Sequence, residues 1–108
     1  MWLNAGLCSH RPPSFYMKYS VRPVSVDIQG HTYQWHLNFD RILDFHWSRQ
    51  WLTETYEWGY PVPGDRAVDH GGNPRWCWEI QYMIYDIYLA SDQELSWFKL
   101  KWGDCVTA

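Results

Sequence analysis

Five histidines, three cysteines and twelve carboxylates in a chain of 108 residues bring metal binding and acid–base chemistry to mind first. A zinc or calcium site needs several ligands fixed together and supported from behind. His31 and His36 stand five positions apart, so on a strand they point to opposite faces. His36 and His46 could meet only across a sheet, and no spacing requires it. Asp65, Asp69 and His70 share a Gly/Pro-rich stretch that reads as solvated loop. His-x3-His, His-Glu-x-x-His and EF-hand spacings are all absent. The expectation is no metal and no cofactor.

Covalent chemistry fares no better. Cys77 is flanked by the indoles of Trp76 and Trp78, with no adjoining cation to favour the thiolate. No serine sits in a G-x-S-x-G elbow. Gly71-Gly72-Asn73-Pro74 lacks the Lys-Ser/Thr that completes a phosphate loop. A hydrolase built on Asp69 and His70 has no suggested substrate. The chain therefore reads as a non-enzyme with no catalytic residues. Cys8, Cys77 and Cys105 are odd in number and widely spaced, which argues against a disulfide framework and leaves a Cys77–Cys105 pair open.

The aromatic residues carry the strongest signal. Nine Trp, eight Tyr and four Phe are more rings than a core of this size readily hides. Trp47, Trp51, Trp58, Trp76, Trp78, Trp97 and Trp102 lie from the middle of the chain onward. Exposed indoles serve protein interfaces, sugar stacking or unpaired bases. Base stacking normally comes with a basic groove, and here no Lys/Arg cluster exists. Residues 1–53 carry five Lys/Arg against three Asp/Glu, and residues 54–108 carry four against nine. Nucleic acid is thus not expected as a direct ligand. The acidic second half suits a protein partner with a basic surface. The expected contact set is Trp58, Tyr60, Trp76 and Trp78 as anchors, with Glu54, Glu57, Asp65 and Asp69 facing the partner's cations. A carbohydrate-binding module using stacked indoles is the alternative.

These residues need elements to hold them. Residues 1–16 show no periodicity and read as a flexible N-terminal arm, with residues 17–108 forming a single β-rich domain. Met1 to Phe15 has no apolar signal core and no run is long enough to span a bilayer, so cytoplasmic residence without membrane contact is expected. Val24, Val26 and Ile28 alternate with polar residues, Gly30 turns the chain, and Tyr33, Trp35, Leu37 and Phe39 resume the alternation: a hairpin. Pro23 cannot donate to a ladder, which places that strand at an edge. An exposed edge leaves a homodimer open. Residues 40–46 read as a short helix capped by Asp40, followed by a strand through Trp58. Residues 59–74 form the longest loop, and residues 76–89 suit one long central strand. Ser91-Asp92-Gln93-Glu94 matches a capping box, so a short helix over 92–99 competes with a last strand bearing Ser96, Phe98, Leu100 and Trp102. No internal repeat is visible. The fold class is mostly β or α+β, an antiparallel sheet or meander with one or two short helices.

The run Glu54-Thr55-Tyr56-Glu57-Trp58, a Pro/Gly loop, Trp78-Glu79-Ile80 through Met83 and the acidic turn Ser91–Glu94 resembles small phage- and prophage-encoded β-rich accessory proteins of unknown function. The resemblance covers residues 54–95. It implies a protein that acts in the host cytoplasm. Its most concrete version is an inhibitor of a host defence or nucleic-acid-processing complex, of the anti-CRISPR kind, working by steric blockade.

Overall fold

A computed structural model describes residues 17–57, 59–61 and 75–103, and the side chains of Tyr60 and Pro61 are not among what it describes. The N-terminal arm, most of the long loop and Cys105 lie outside these residues. In chain order the elements are β1 (Ser20–Ile28), β2 (His31–Phe39), α1 (Ile42–Tyr56), β3 (Tyr60–Pro61), β4 (Trp76–Gln81), β5 (Ile84–Leu89) and α2 (Asp92–Trp102). The sheet order is β1-β2-β5-β4-β3. β1, β2, β5 and β4 pair antiparallel, and the two-residue β3 adds to β4 in parallel. Two helices cover one face, so this is an α+β fold whose sheet is mostly antiparallel.

The first hairpin forms as its alternation requires, with Gln29 and Gly30 at the turn, both at positive φ. β1 is an edge strand, and Pro23 together with a register shift between Pro23 and Val26 interrupts its ladder. Both devices discourage strand addition from outside. In the core, Leu37, Phe39, Ile87, Leu89 and Trp76 from the sheet meet Phe45, Leu52 and Tyr56 of α1 and Leu95 and Phe98 of α2. Met17 and Tyr19 close one side, and the Tyr19 hydroxyl donates to the Gly103 carbonyl at 2.9 Å.

Three sequence expectations are corrected. The helix expected over 40–46 with a following strand is one continuous helix through Tyr56, begun at Arg41 rather than Asp40. Phe45, Ser48, Leu52 and Tyr56 set its buried stripe, but Leu43 and Trp47 point outward and blur the period. The single strand expected over 76–89 is a hairpin, β4 and β5, folded back at Tyr82 and Met83. Over 90–102 the helix forms: the Ser91 hydroxyl accepts from the Gln93 N–H at 3.3 Å and donates to the Glu94 carboxylate.

The third correction is the repeat. β2–α1 and β5–α2 superpose in numbering: the pairs Leu37/Ile87, Asp44/Glu94, Phe45/Leu95, Trp47/Trp97 and Leu52/Trp102 each differ by fifty. Each pair shares its burial class except the last, where Trp102 is half-buried. With its preceding hairpin strand, each half is a ββα unit. Leu37 and Ile87 are also directly opposite one another where β2 meets β5, so a local two-fold axis passes between them. Most side chains differ between the halves while the burial pattern is shared, which hides the repeat from a sequence reading.

Candidate partner-binding surface

The second hairpin exposes what the sheet cannot use. Gln81 pairs with Ile84, leaving Tyr82 and Met83 as a two-residue turn with φ of 44° and 27°. Two-residue hairpins favour this positive-φ turn because it follows strand twist, and they fill it with Asn-Gly or Asp-Gly. The first hairpin, with Gln29-Gly30, comes close to that rule. The second uses two bulky residues that the left-handed region disfavours. Their side chains gain nothing in return, since Tyr82 is 91% and Met83 85% exposed, and Ile80 and Ile84 beside them are also exposed. An apolar, strained turn at the end of a rigid hairpin is a feature the fold alone does not call for.

Towards α1 the same face of β4 carries Trp78, over which the Arg49 guanidinium stacks with its carbon 3.8 Å from the ring centroid. Phe45 packs edge-on to Trp78 and tilted against Tyr85, which ties the start of α1 to the tip-proximal half of the hairpin. Burial lowers the Arg49 pKa.

On the sheet face away from the helices, the registers align two polar rows. Arg22, His36, Tyr88 and Cys77 form one, and Ser20, Asn38, Asp86 and Glu79 the other. Arg22 Nε donates to His36 Nδ1 at 2.8 Å, which fixes the neutral imidazole with its proton on Nε2. That Nε2 lies 3.0 Å from Asp86 Oδ1. Its N–H direction nonetheless misses the carboxylate, so the contact is electrostatic rather than a hydrogen bond. Asn38 Nδ2 donates to the same oxygen at 2.7 Å, and Tyr88 stacks on the His36 ring. Burial, and then neighbouring carboxylates led by Asp86, pushes the Glu79 carboxyl and the Tyr88 phenol up. Cys77 is fully buried beside Tyr33. Across the seam these groups largely satisfy one another. His46 sits exposed on α1 and does not meet His36. Among the described residues no group of three or more His, Cys, Asp or Glu could hold a metal ion, and no helix is long and apolar enough to cross a membrane.

The contact set expected from sequence is dispersed. Trp76 is a core residue, 1% exposed, whose indole N–H donates to the Glu57 carbonyl at 3.0 Å. It anchors the fold and is removed from the surface set. Trp78 is half-buried under Arg49. Glu54 and Glu57 are exposed at the end of α1, where Glu54 accepts from Gln50 at 3.3 Å. Tyr60 pairs with Cys77 in β3. Trp58, Asp65, Asp69 and His70 lie outside the described residues. Among the described residues the indoles that face solvent are Trp47 and Trp97, at equivalent positions of the two halves. Tyr82 and Met83 went unnoticed because a run of β-formers without Gly, Asn or Pro carries no turn signal. Comparison with protein-family models, with curated proteins and with solved structures finds no match.

Proposed function

We propose that the protein is a non-enzymatic binding protein that docks on another protein, with the tip of its second hairpin as the anchor. The observation that carries this reading is the turn itself: two large apolar side chains held out in a backbone conformation they disfavour, while the equivalent hairpin uses Gln-Gly. Aromatic and Met anchors entering a partner's pocket supply most of the energy of a small interface. Glu54, exposed on α1, and Glu57, exposed at its C-cap, meet basic groups at the rim. The resemblance to phage accessory proteins makes steric blockade of a host defence or nucleic-acid-processing complex the most concrete form.

A photo-reactive phenylalanine analogue placed at Tyr82, and separately at Gln29, tests the reading in a host lysate. A discrete adduct from position 82 and none from position 29 is expected. Equal labelling from both positions, or none from position 82, overturns it. Glycan binding is the second reading, favoured by the exposed indoles of Trp47 and Trp97. A saturable change in tryptophan emission on adding oligosaccharides, lost in Trp47→Ser, would displace the first reading.

A further inference from the structure

A helix that covers a sheet turns its apolar stripe to the core and its polar side to water. α1 and α2 obey the first half of that rule, with Phe45, Leu52, Leu95 and Phe98 buried. On the opposite side they break it. Leu43 is 66% exposed, Trp47 55%, Trp97 51% and Leu100 69%. The helices lie side by side, with the Trp51 and Phe98 rings 5.9 Å apart, so these residues belong to one outer face. At such exposures each presents a little over about 100 Å² of apolar area, or about 450 Å² together. When residues 31–53 are set against 81–103, Trp47 and Trp97 are the one identical pair. The local two-fold axis between Leu37 and Ile87 relates the halves, so the two indoles stand as equivalent anchors on the same surface. β2 and β5 are antiparallel and lead into these helices, so α1 and α2 also run in opposite directions.

We propose that this face receives a second copy of the chain, helical layer on helical layer. Two equivalent anchors require a partner with two equivalent places at the same spacing, and a second copy brings them. The area agrees. A standard interface takes about 800 Å² from each partner, and in homodimers about 65% of it is apolar, close to what this face offers. Two arrangements put the dimer axis in the plane of contact. One sets α1 on the α2 of the second copy and brings exposed Arg41 against exposed Lys101. The other sets each helix antiparallel on its own copy and brings exposed Asp92 against Lys101. Opposite charges at the rim select the second. The edge of β1, with Pro23 and its interrupted ladder, is by contrast shaped against self-pairing. The inference goes beyond the docking reading, since a dimer carries two hairpin tips. It also buries the two indoles that glycan binding would use, so those two readings exclude each other.

The test measures the mass of the full chain by sedimentation equilibrium, from micromolar to millimolar protein. A reversible rise to twice the monomer mass is expected. Trp47→Ser and Trp97→Ser should each raise the dissociation constant at least tenfold, while Tyr82→Ser leaves it unchanged. Lys101→Asp should weaken the dimer, and adding Asp92→Lys to it should restore the pair. A chain that stays monomeric throughout, a dimer indifferent to both tryptophan changes, or an unrestored charge pair overturns the proposal. Mass that keeps growing past the dimer also overturns it, because a two-fold pair is closed. Both indoles are half exposed, so each single variant should melt as the native chain does. Should one misfold, hydroxyl-radical footprinting of the native chain decides. Trp47 and Trp97 labelled at low concentration and protected at high concentration bear the proposal out, and equal labelling at both overturns it.

Discussion

Replacing Tyr82-Met83 by Asn-Gly asks the second hairpin to obey the rule it breaks. A non-glycine residue in the left-handed region costs about 1–2 kcal/mol, and two stand in this turn. The side chains removed are 91% and 85% exposed, so the native fold loses almost no packing. Against the relief stands the greater freedom of an unfolded glycine, about 0.4–1 kcal/mol, and the residual strain of Asn. The net expectation is a gain of about 1–2 kcal/mol, or roughly 5–10 °C in Tm for a domain of this size. Thermal melts and urea titration read it, with an unchanged m-value showing that the unfolded state is the same. The same double variant should lose retention of the partner, separating stability from binding. A midpoint that stays put or falls would mean that Tyr82 and Met83 hold the turn, and the argument from strain would collapse.

Gly59→Ala puts a methyl group 2.6 Å from the buried ring of Trp76, which cannot swing aside; a loss of about 1–3 kcal/mol in urea is expected, and an unchanged midpoint would count against that close contact. Ser91→Ala removes the cap of α2 and should lower stability by about 1 kcal/mol, read by calorimetry; no change would show the cap to be idle. Glu79 is raised by burial and then by Asp86, so its folded form holds a proton the unfolded chain has released. Its stabilising contribution is present below the ordinary value of 4.5 and lost as pH rises through the folded value. Glu79→Gln should therefore raise the urea midpoint at neutral pH and leave it unchanged in stronger acid. A variant keeping the native pH dependence would refute this.

How far the sequence was legible depended on how local each signal is. The first hairpin rests on a few neighbouring residues around Gly30 and is readable, whereas Ser91 with Glu94 marks a cap but leaves helix and strand open over 90–102 until the structure shows the helix. α1 was misread because Leu43 and Trp47 face outward while Phe45 and Leu52 face inward, so aromatic and aliphatic residues surround the helix. The second hairpin was misread because its turn has no turn residue. Its strain is a property of φ, which no side chain announces. Trp76 looked like a surface anchor by its company of indoles. Only the pairing of β4 with β5 and the approach of Gly59 show it to be interior. The Arg49–Trp78 stack joins residues from different elements and has no sequence signal at all.

The local two-fold axis also explains a pattern of charge on the outer sheet face. Where one half has His36, the other has Asp86; the cross-strand partners of those residues are Arg22 and Glu79. Equivalent places thus hold Arg22 in one half against Glu79 in the other, and a neutral imidazole against a carboxylate, so the halves carry unlike groups built on one plan. Rejoined with a copy of itself, the first half would set imidazole against imidazole at its seam, and the second would set carboxylate against carboxylate. Two carboxylates so placed repel. Self-association of the second half through its inner strand is thereby disfavoured, whereas in the single chain Asp86 meets the Asn38 amide of the other half instead of a second carboxylate.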